Sequence, residues 1–461
     1  LSSGISPITP KRPRKVLPRA DTIAAIATAP GQGGIGIVRV SGPDLNELSR
    51  SVTGQALAPR WASYTSFIDE NGEMIDQGIA LYFPAPNSFT GEDVLELQGH
   101  GGSAVLKALL QRCIDLGARL AQPGEFSRRA FLNGKLDLAQ AESIADLIAS
   151  TTRQAARSAV RSLSGDFSRA IHSVLDKIIR LRVFVEATLD FPEEEGVVSV
   201  DSVRLRAELD GLRKELERVQ SLATQGNILR EGAQVVLIGA PNVGKSSLLN
   251  RLAGEEVALV SDIPGTTRDT IRQHLQIKGV PIHLVDTAGI RETDDVLEQM
   301  GIVRTRQSME QADLLIVLID ELHPVPIHEI AGDMPFGTLP VLFVHNKIDL
   351  TGRQSGLEFQ GDTTHLYLSA KTGAGVEQLQ EAMLTAIGWQ SEEGVFMARA
   401  RHMDAIAHAL ESLAEAELHL AELELFAESL RLAQQSLNQI TGEFVADDLL
   451  GEIFGSFCIG K

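Results

Sequence analysis

A glycine-rich segment, GAPNVGKSS at residues 239–247, constrains the fold of this chain more than any other feature. The apolar run VVLIG before it predicts a buried strand, and SLLNRLAG after it predicts a helix. Glycines at such a turn let backbone N–H groups wrap phosphate oxygens, while Lys245 can reach the β and γ oxygens and the Ser246 hydroxyl can bind Mg²⁺. The sequence therefore predicts a phosphate-binding loop that joins a strand to a helix.

Two further motifs are placed to complete a magnesium and phosphate site. The motif DTAG, residues 286–289, ends the run IHLVD, so Asp286 is expected to face the magnesium shell and Gly289 to offer its N–H to the γ-phosphate. SDIPGTTRD, residues 261–269, lies between the loop and DTAG, where Thr267 can complete the magnesium shell. Each motif alone is weak, but their order predicts magnesium-dependent nucleotide hydrolysis.

The motif NKID, residues 346–349, selects the base. Asp349 can accept two hydrogen bonds from N1–H and the exocyclic amine of guanine, a donor pair that adenine lacks. An unpaired buried carboxylate costs about 1–3 kcal/mol or more, which is enough to select GTP over ATP. SAKTG, residues 369–373, is expected to support the base, whereas an ordinary loop is the alternative reading of NKID alone. The predicted GTP-binding residues are Asn242, Val243, Gly244, Lys245, Ser246, Ser247, Ser261, Asp262, Ile263, Pro264, Gly265, Thr266, Thr267, Asp286, Thr287, Ala288, Gly289, Asn346, Lys347, Asp349, Ser369, Ala370 and Lys371.

The residue after DTAG departs from the pattern of Ras. It is Ile290, so the glutamine that orients water in Ras is absent, and no arginine finger can be assigned. Another group must therefore orient water and neutralise the charge that develops between the β and γ phosphates. The acids that follow are more typical of a solvated face than of catalysts: Glu292, Asp294, Asp295 and Glu298.

Length and composition narrow the class of protein. A chain of 461 residues is expected to hold about three domains. With 43% hydrophobic residues and no apolar run near the ~20 that a membrane helix needs, it is expected to be soluble and cytoplasmic. Two cysteines, Cys113 and Cys458, do not make a disulfide framework, which fits a reducing compartment. The net charge of −19 means that any RNA contact must be local.

The first part of the chain is expected to hold a disordered extension and an α+β domain. Residues 1–20 are rich in Ser, Pro and basic residues and show no apolar periodicity. Short apolar runs separated by turn residues predict several strands and a domain over residues 21–135. GQGGIG, residues 31–36, resembles a dinucleotide-binding turn, but a strand pattern follows it, so we interpret it as a turn or bulge.

The remainder predicts a GTPase domain inserted into a helical domain. Helical periodicity begins at Leu136 and continues to about Gly226. The runs VVLIG, IHLVD, DLLIVLID, LPVLFVH and HLYLS then predict parallel strands of a P-loop domain over residues 232–388. The helical halves are expected at residues 136–231 and 389–461, and two independent helical domains are the alternative. The early helical face is expected to include Ile144, Leu147, Ile148, Thr151 and Ala155.

The motifs together resemble those of one family. GxPNxGKS, GTTRD, DTAGIRE and a carboxy-terminal FCIGK are similar to the MnmE (TrmE) family of bacterial tRNA-modification GTPases. Further matches are PNSFTGEDVLELQGHGG, PGEFSRRAFLNGKLDLAQAE and ITGEF. The resemblance runs from about Asp21 to Lys461 and leaves out only the first 20 residues.

The resemblance implies a catalytic arrangement for GTP hydrolysis. It implies a potassium ion in place of the arginine finger, and a fixed cation beside the β–γ bridge would stabilise the developing charge. It also implies that Glu298 positions the attacking water. The implied ligands are Ser246 and Thr267 for Mg²⁺, and Asn242, Ser261, Ile263 and Thr266 for K⁺; the implied catalytic residues are Glu298, Lys245 and Cys458.

The resemblance also implies a tetrahydrofolate site in a dimerising amino-terminal domain. Its ligand residues would be Arg39, Glu96, Lys135 and Lys461, because Arg and Lys suit the carboxylates of a folate and Glu suits the pterin N–H groups. Without the resemblance, Arg39 and Glu96 would be interpreted as surface charges. The family treats Cys458 as functional, whereas the residues alone leave a buried, inert thiol equally open.

The implied function is shared with partners. The family works as a homodimer with the flavoprotein MnmG and installs a carboxymethylaminomethyl or aminomethyl group on carbon five of wobble uridine in tRNA. Arg153, Arg157 and Arg161 form one basic helical stripe, for which a phosphate contact and an ordinary salt-bridged face are both open. The alternative function is a regulatory GTPase of ribosome assembly or stress response without folate chemistry.

Overall fold

The computed structural model describes residues 21–190, 202–255, 272–286, 309–326, 339–361, 363–392, 394–443 and 447–460. The chain forms two compact units. The first unit is Leu1–Ala145 with Thr441–Lys461, and the second unit is Asp146–Ile440.

The first unit is built on a six-stranded sheet that has helical residues against both faces, Leu106 against Ala24 and Phe126 against Ile23 and Ala25. The sheet order is β3-β4-β5-β2-β1-β6, and β1 pairs parallel with β6 while the other pairs are antiparallel. Val38 and Val40 alternate with the partly buried Ile37 and Arg39 and pack with Leu95 and Leu97 against the helix that carries Leu106. The elements are β1 (Ile23–Ile26), β2 (Gly33–Gly42), α1 (Asn46–Thr53), β3 (Ser63–Ile68), β4 (Met74–Phe83), β5 (Asp93–Gly101), α2 (Ser103–Asp115), β6 (Arg119–Leu120), α3 (Glu125–Leu132) and the start of α4 (Leu138–Ala149).

The GQGGIG segment enters a strand, as the sequence predicts. The register of β2 against β5 shifts between Gly33 and Gly36, so a bulge lies there. A Cβ at Gly36 would come within 2.6 Å of the Leu106 side chain, so the glycine lets α2 approach the sheet. The interpretation as a bulge is confirmed.

The second unit contains a seven-stranded sheet in the order β12-β13-β11-β10-β7-β9-β8. Its five inner strands are parallel, and β8 and β12 are antiparallel edges. Successive residues of the central strands belong to two separate apolar clusters, one containing Leu237 and Ile316, the other Val236 and Leu315. The prediction of parallel strands buried on both faces is confirmed. The elements are β7 (Ala233–Gly239), α8 (Lys245–Glu255), β8 (Arg272–Ile277), β9 (Val280–Asp286), β10 (Leu314–Asp320), β11 (Val341–Asn346), α9 (Ile348–Thr351), β12 (Gly356–Gln360), β13 (Thr363–Tyr367) and α10 (Val376–Ala386).

Helices that precede this sheet in sequence pack with a helix that follows it. The long helix α7 contacts α5, α6 and α11. The chain does not form one helix across Ile144–Ala155, because α4 ends at Ala149 and the Thr152 hydroxyl accepts from the Ala155 N–H to begin α5. That part of the predicted helical face is therefore wrong, and helical structure continues past Gly226. The helices are α5 (Arg153–Leu163), α6 (Asp166–Asp190), α7 (Ser202–Glu231), α11 (Ala400–Leu418), α12 (Leu423–Thr441) and, in the first unit, α13 (Asp447–Gly455).

The segment after α10 is hydrogen-bonded to α7 and packs closely against it. Gln225 is buried and donates to the Gly388 carbonyl at 2.9 Å while accepting from the Gln390 N–H at 2.8 Å. A Cβ at Gly226 would lie 1.8 Å from the Phe396 carbonyl oxygen, so only glycine permits this approach. No helix among the described residues is long and apolar enough to cross a bilayer.

The two connections between the sheet and the helices meet at one buried carboxylate. Asp146, on α4, accepts from Arg230 at 3.0 Å and from Arg399 at 2.8 Å. Arg230 lies near the end of α7, and Arg399 lies just before α11. Asp146 therefore ties together the segments before and after the α/β part of the chain.

Candidate functional site

The phosphate-binding loop lies between β7 and α8, as predicted. Asn242 has φ 59° and Gly244 has φ 104°, so the loop turns through the left-handed region twice. A Cβ at Gly239 would lie 2.7 Å from the Leu318 carbonyl, and one at Gly244 would lie 2.3 Å from Asn346 Nδ2. The loop thus requires glycine at both positions, once against β10 and once against the base-binding loop.

The lysine and the serines of this loop surround the start of α8. The Lys245 ammonium donates to the Gly239 carbonyl at 2.5 Å and to the Ala240 carbonyl at 3.4 Å. Ser246 and Ser247 are exposed in the first turn of an eleven-residue helix. A helix N-terminus with free N–H groups and a nearby ammonium favours anions, which suits phosphate.

Asn346 joins the predicted base-binding loops to the phosphate loop. It is 3% exposed, and its Nδ2 donates to the Val243 carbonyl at 2.8 Å. Its Oδ1 accepts from the Ala370 N–H at 2.9 Å. One side chain therefore holds three of the predicted motifs in fixed relation, because both of its partners are backbone groups.

Asp349, the predicted guanine reader, is exposed and oriented by a neighbour. The Ser369 hydroxyl donates to Asp349 Oδ1 at 2.7 Å and accepts from the Thr372 N–H at 3.1 Å. The second carboxylate oxygen accepts no hydrogen bond from the residues that the structure describes. The arrangement leaves acceptor capacity for the donor pair of guanine.

Sequence reasoning missed two residues that support these loops. Asp320, at the end of β10, accepts from Lys347 at 2.7 Å. Burial raises the pKa of the Asp320 carboxyl. The hydrogen bond and charge of Lys347 lower the pKa by more than burial raises it, so it lies below the ordinary value. Arg251, on α8, donates to the carbonyls of Ala370 and Lys371 at 3.3 and 2.6 Å. The position of Asp320 at a strand end was the available signal, whereas nothing in the motif indicates Arg251.

A cleft of about 280 Å³ lies between α8 and the base-binding loop. It is lined by Ser247, Asn250, Arg251, Gly254 and Ala370. Ser247 of α8 and Ala370 of SAKTG, both predicted site residues, therefore line the same cleft.

Several predicted residues lie outside the described part of the chain. β9 ends at Asp286, whose backbone pairs beside Leu237 of β7, but its side chain is among those not described. The residues outside are Ser261, Asp262, Ile263, Pro264, Gly265, Thr266, Thr267, Thr287, Ala288, Gly289, Glu298 and Lys461, together with the acids Glu292, Asp294 and Asp295. Their roles stay predictions.

In the first unit, the predicted folate residues Arg39 and Glu96 form an ion pair at 2.8 Å. They lie opposite each other in the β2–β5 ladder and are 22% and 16% exposed, so their interpretation as free surface charges is wrong. The Arg39 guanidinium also donates to the Gly460 carbonyl at 3.4 Å. Lys135 instead donates to the Pro86 carbonyl at 3.1 Å.

The two cysteines differ in environment. Cys458 is exposed, which excludes the buried thiol left open by the sequence, and its carbonyl accepts from the Gly124 N–H at 3.3 Å. Cys113 is fully buried, and burial raises the pKa of its thiol to about 12. Chemistry that needs an accessible thiol is therefore open to Cys458 and closed to Cys113.

A buried ion network supports the same unit, and no motif predicted it. Arg129 is 8% exposed and binds Asp21, Glu92 and Glu125 at 2.8, 3.0 and 3.0 Å. Arg119 also binds Glu125, at 2.6 Å. Burial raises the pKa of the Glu125 carboxyl, but hydrogen bonds from these arginines and from a backbone N–H more than offset it, so the pKa lies below its ordinary value.

Comparison with known proteins decides the family. The model described as MnmE helical domain matches residues 138–458, and the model described as GTP-binding protein TrmE N-terminus matches residues 22–135. The chain belongs to the MnmE (TrmE) family of tRNA modification GTPases. The MnmE helical model runs across the whole α/β segment.

Curated MnmE proteins match over nearly their full length. The tRNA modification GTPase MnmE of Nitrosomonas eutropha is 58% identical over 449 residues, which cover 96% of this chain and 99% of that protein. That of Nitrosomonas europaea is 59% identical with the same coverage. The MnmE resemblance drawn from the sequence motifs is therefore confirmed.

Solved structures match only part of the chain. The Era protein of Aquifex aeolicus is 25% identical, covers 39% of this chain and 66% of its own, and has a TM-score of 0.26. The G domain of the T. maritima FeoB iron transporter is also 25% identical, covers 33% of this chain and 98% of its own, and has a TM-score of 0.25. The MnmE assignment rests on the family models and curated relatives instead.

Proposed function

We propose that this chain binds GTP and Mg²⁺ between the phosphate loop, NKID and SAKTG, and that hydrolysis there serves modification of wobble uridine in tRNA. The observation that carries the proposal is the pair of buried hydrogen bonds at Asn346, which donates to the Val243 carbonyl and accepts from the Ala370 N–H. Because they fix the base-binding loops relative to the phosphate loop, one nucleotide can engage both ends of the site.

Residues of the loop and α8 would stabilise the triphosphate. The α8 N-terminus and the Lys245 ammonium would offset charge on the β and γ phosphates, which grows toward the transition state. Ser246 is on the first turn of α8, and with Thr267 it would hold Mg²⁺, which neutralises the same oxygens. Asp349 would accept from guanine, with Ser369 holding its orientation.

Potassium would supply the positive charge that an arginine finger provides in other GTPases. Asn242 fits a role in holding it, since it is exposed at the left-handed turn of the loop. Ser261, Ile263 and Thr266 would complete the ligands, and Glu298 would orient water. GTP turnover measured in KCl and in NaCl tests this, with faster turnover expected in KCl; equal rates would exclude a potassium requirement.

Exchange of one acid tests the proposed role of Glu298. Glu298→Ala is expected to abolish potassium-stimulated turnover and to leave GTP affinity unchanged, with Glu292→Ala as a neighbouring control that keeps turnover. Both are measured by phosphate release and by calorimetry. Normal turnover in Glu298→Ala removes the residue from the mechanism.

We also propose a one-carbon folate site at Arg39, Glu96, Lys135 and Lys461. It is supported by the Arg39–Glu96 pair and by the Gly460 carbonyl beside Arg39, which brings the residue before Lys461 to this place. Arg39→Ala should abolish folate binding in calorimetry while GTP turnover persists. Absence of folate binding by the unchanged chain would favour the regulatory GTPase of ribosome assembly or stress response.

The assembly around this chain is proposed from the family. The chain would act in the cytoplasm as a homodimer with MnmG, with its GTPase domain at residues 232–388 inserted into a helical domain at 136–231 and 389–461. Packing of α7 on α11 supports the insertion. Cys458→Ser is expected to lower tRNA modification and to spare GTP hydrolysis, since the exposed thiol is far in sequence from the GTP motifs; normal modification would leave the thiol without a role.

A further inference from the structure

Helix α5 carries an unusual concentration of positive charge. Its eleven residues, RQAARSAVRSL, include three arginines and no acid, in a chain of net charge −19. Arg153, Arg157 and Arg161 are all exposed and four residues apart, so they share one face over about 12 Å of helix. We name these three residues the α5 arginine stripe.

The stripe has no ion-pair partner in the described part of the chain. No carboxylate oxygen there lies within 4.0 Å of its guanidinium nitrogens. The nearest acids in sequence are engaged elsewhere, since Asp146 binds Arg230 and Arg399 and Asp166 binds Arg169. The sequence left open that these arginines form salt bridges along the helix, and the described residues offer them no such partner.

The stripe lowers the stability of its own helix. Like charges four residues apart repel by about 0.2–0.5 kcal/mol per pair. Arg153 also lies in the first turn, where a cation opposes the helix dipole by about 0.3–1 kcal/mol. Helix stability therefore does not explain the three arginines, and binding to another molecule explains them better.

Other contacts hold α5 firmly in place. Ala155 and Ala159 are buried in the core, and the Ser158 and Ser162 hydroxyls donate to the Val395 and Met397 carbonyls at 3.2 Å each. The stripe is therefore presented on a fixed scaffold with its side chains directed to solvent. Fixed geometry lowers the entropy that is lost when a partner binds.

The chemistry of the stripe suits nucleic acid backbone. Guanidinium groups bind phosphate oxygens bidentately, and a row of them can follow consecutive phosphates of one strand. A protein-binding patch would be expected to have an apolar centre. Among the residues of α5, all of them described, Val160 is the single large apolar residue that is exposed, which is too little for such a centre. Phosphate backbone is therefore the partner that the charge and composition favour.

We propose that the α5 arginine stripe binds the phosphate backbone of the substrate tRNA. The inference rests on the proposed function in tRNA modification and adds to it a direct RNA contact on the helical part of this chain. It also explains how a strongly acidic chain engages RNA, since the positive charge is concentrated on one helix face.

Exchange of all three arginines tests the proposal. The full chain with Arg153→Gln, Arg157→Gln and Arg161→Gln is compared with one carrying Lys214→Gln and Arg218→Gln on α7. Lys214 and Arg218 are also exposed, four residues apart and without an ion-pair partner among the described residues. Binding of labelled tRNA is measured by fluorescence anisotropy from about 50 to 200 mM KCl, with and without MnmG.

The stripe variant should bind tRNA about 10–100-fold more weakly, and the slope of log Kd against log salt should fall by about 2, since each lost phosphate contact removes roughly 0.7–0.9. GTP turnover should stay unchanged in both variants, which shows that each is folded. The α7 variant should bind tRNA like the unchanged chain.

Three results would overturn the proposal. Unchanged tRNA affinity and slope in the stripe variant exclude a phosphate contact, and equal losses in both variants indicate unspecific attraction. Loss of MnmG co-elution with normal tRNA affinity makes the stripe a protein interface. Failure of the proposed function is recognised separately, because the unchanged chain with MnmG would then form no modified wobble uridine.

Discussion

Asn346 donates its side-chain amide to the Val243 carbonyl at 2.8 Å, and this hydrogen bond attaches the base-binding loop to the phosphate loop. The carbonyl at Val243 precedes the left-handed Gly244, whose missing Cβ leaves room for the amide. The loops predicted to bind guanine and phosphate are therefore linked by one set of buried contacts.

Asn346→Ala should weaken GTP binding and destabilise the second unit. It leaves the Val243 carbonyl and the Ala370 N–H unpaired, at about 1–3 kcal/mol for each buried group. We expect GTP affinity to fall about 10–100-fold in calorimetry and the free energy of unfolding to fall by about 2–6 kcal/mol. The exposed Gln360→Ala is the control; equal behaviour of the two variants would show that the bonds do not matter.

Asp349→Asn should change the choice of base. The Ser369 hydroxyl still donates to the side-chain oxygen, but an amide N–H replaces the free acceptor and opposes the exocyclic amine of guanine. Xanthine has a carbonyl at that position, so it should gain what guanine loses. Competition between GTP and XTP should shift by about 100-fold or more toward XTP, on the basis of roughly 1.5–3 kcal/mol per charge-assisted bond. No shift would mean that Asp349 does not contact the base.

Two glycines of α7 should respond oppositely to alanine. Gly226→Ala places a Cβ 1.8 Å from the Phe396 carbonyl, so the segment after α10 must move, and we expect a loss of about 3 kcal/mol or more. Gly211→Ala meets nothing within 4 Å and should gain about 1 kcal/mol, because alanine favours a helix. Denaturant unfolding of both variants measures the difference, and a neutral Gly226→Ala would contradict the close packing of this segment.

The first unit should lose stability in acid through Glu125. Because its folded-state pKa lies below the ordinary value of 4.5, its stabilising effect is present above that value and is lost as pH falls through the folded pKa. Glu125→Gln should cost about 1–3 kcal/mol at neutral pH, since Arg119 and Arg129 each lose one charged partner while Arg129 keeps Glu92 and both keep Asp21, and it should flatten the stability curve below pH ~4.5. The exposed Glu428→Gln is the control, and parallel pH curves for Glu125→Gln and the unchanged chain would contradict the assignment.

The sequence predicted the strands that are buried on both faces, because such strands are continuous apolar runs. The run LLIVLI before Asp320 is apolar throughout because β10 is covered on both faces. The edge strands β8 and β12, RQHLQI and GLEFQ, were not predicted, because an edge needs no continuous apolar run and both contain polar residues.

The site was predictable in its motifs but not in its connections. The loop residues follow a pattern typical of phosphate binding, so roles for Lys245 and Asp349 could be predicted from spacing alone. The hydrogen bond from Asn346 to Val243 joins residues 103 positions apart, and no local pattern indicates it. That the α5 arginine stripe lacks an ion-pair partner among the described residues could be seen only in the folded structure, since spacing alone favours a salt-bridged face over a phosphate contact.

The position of α13 affects the order in which the chain can fold during translation. Leu450, Phe454 and Phe457 complete the core around Leu138 and Ala141, and Gly124 lies against the Phe454 carbonyl. About 300 residues separate the two halves of this core, which at roughly 5–20 residues per second means a delay of about 15–60 s on the ribosome. The core of the unit made first thus stays incomplete until α13 is made, and nascent chains carry an uncovered apolar surface until then.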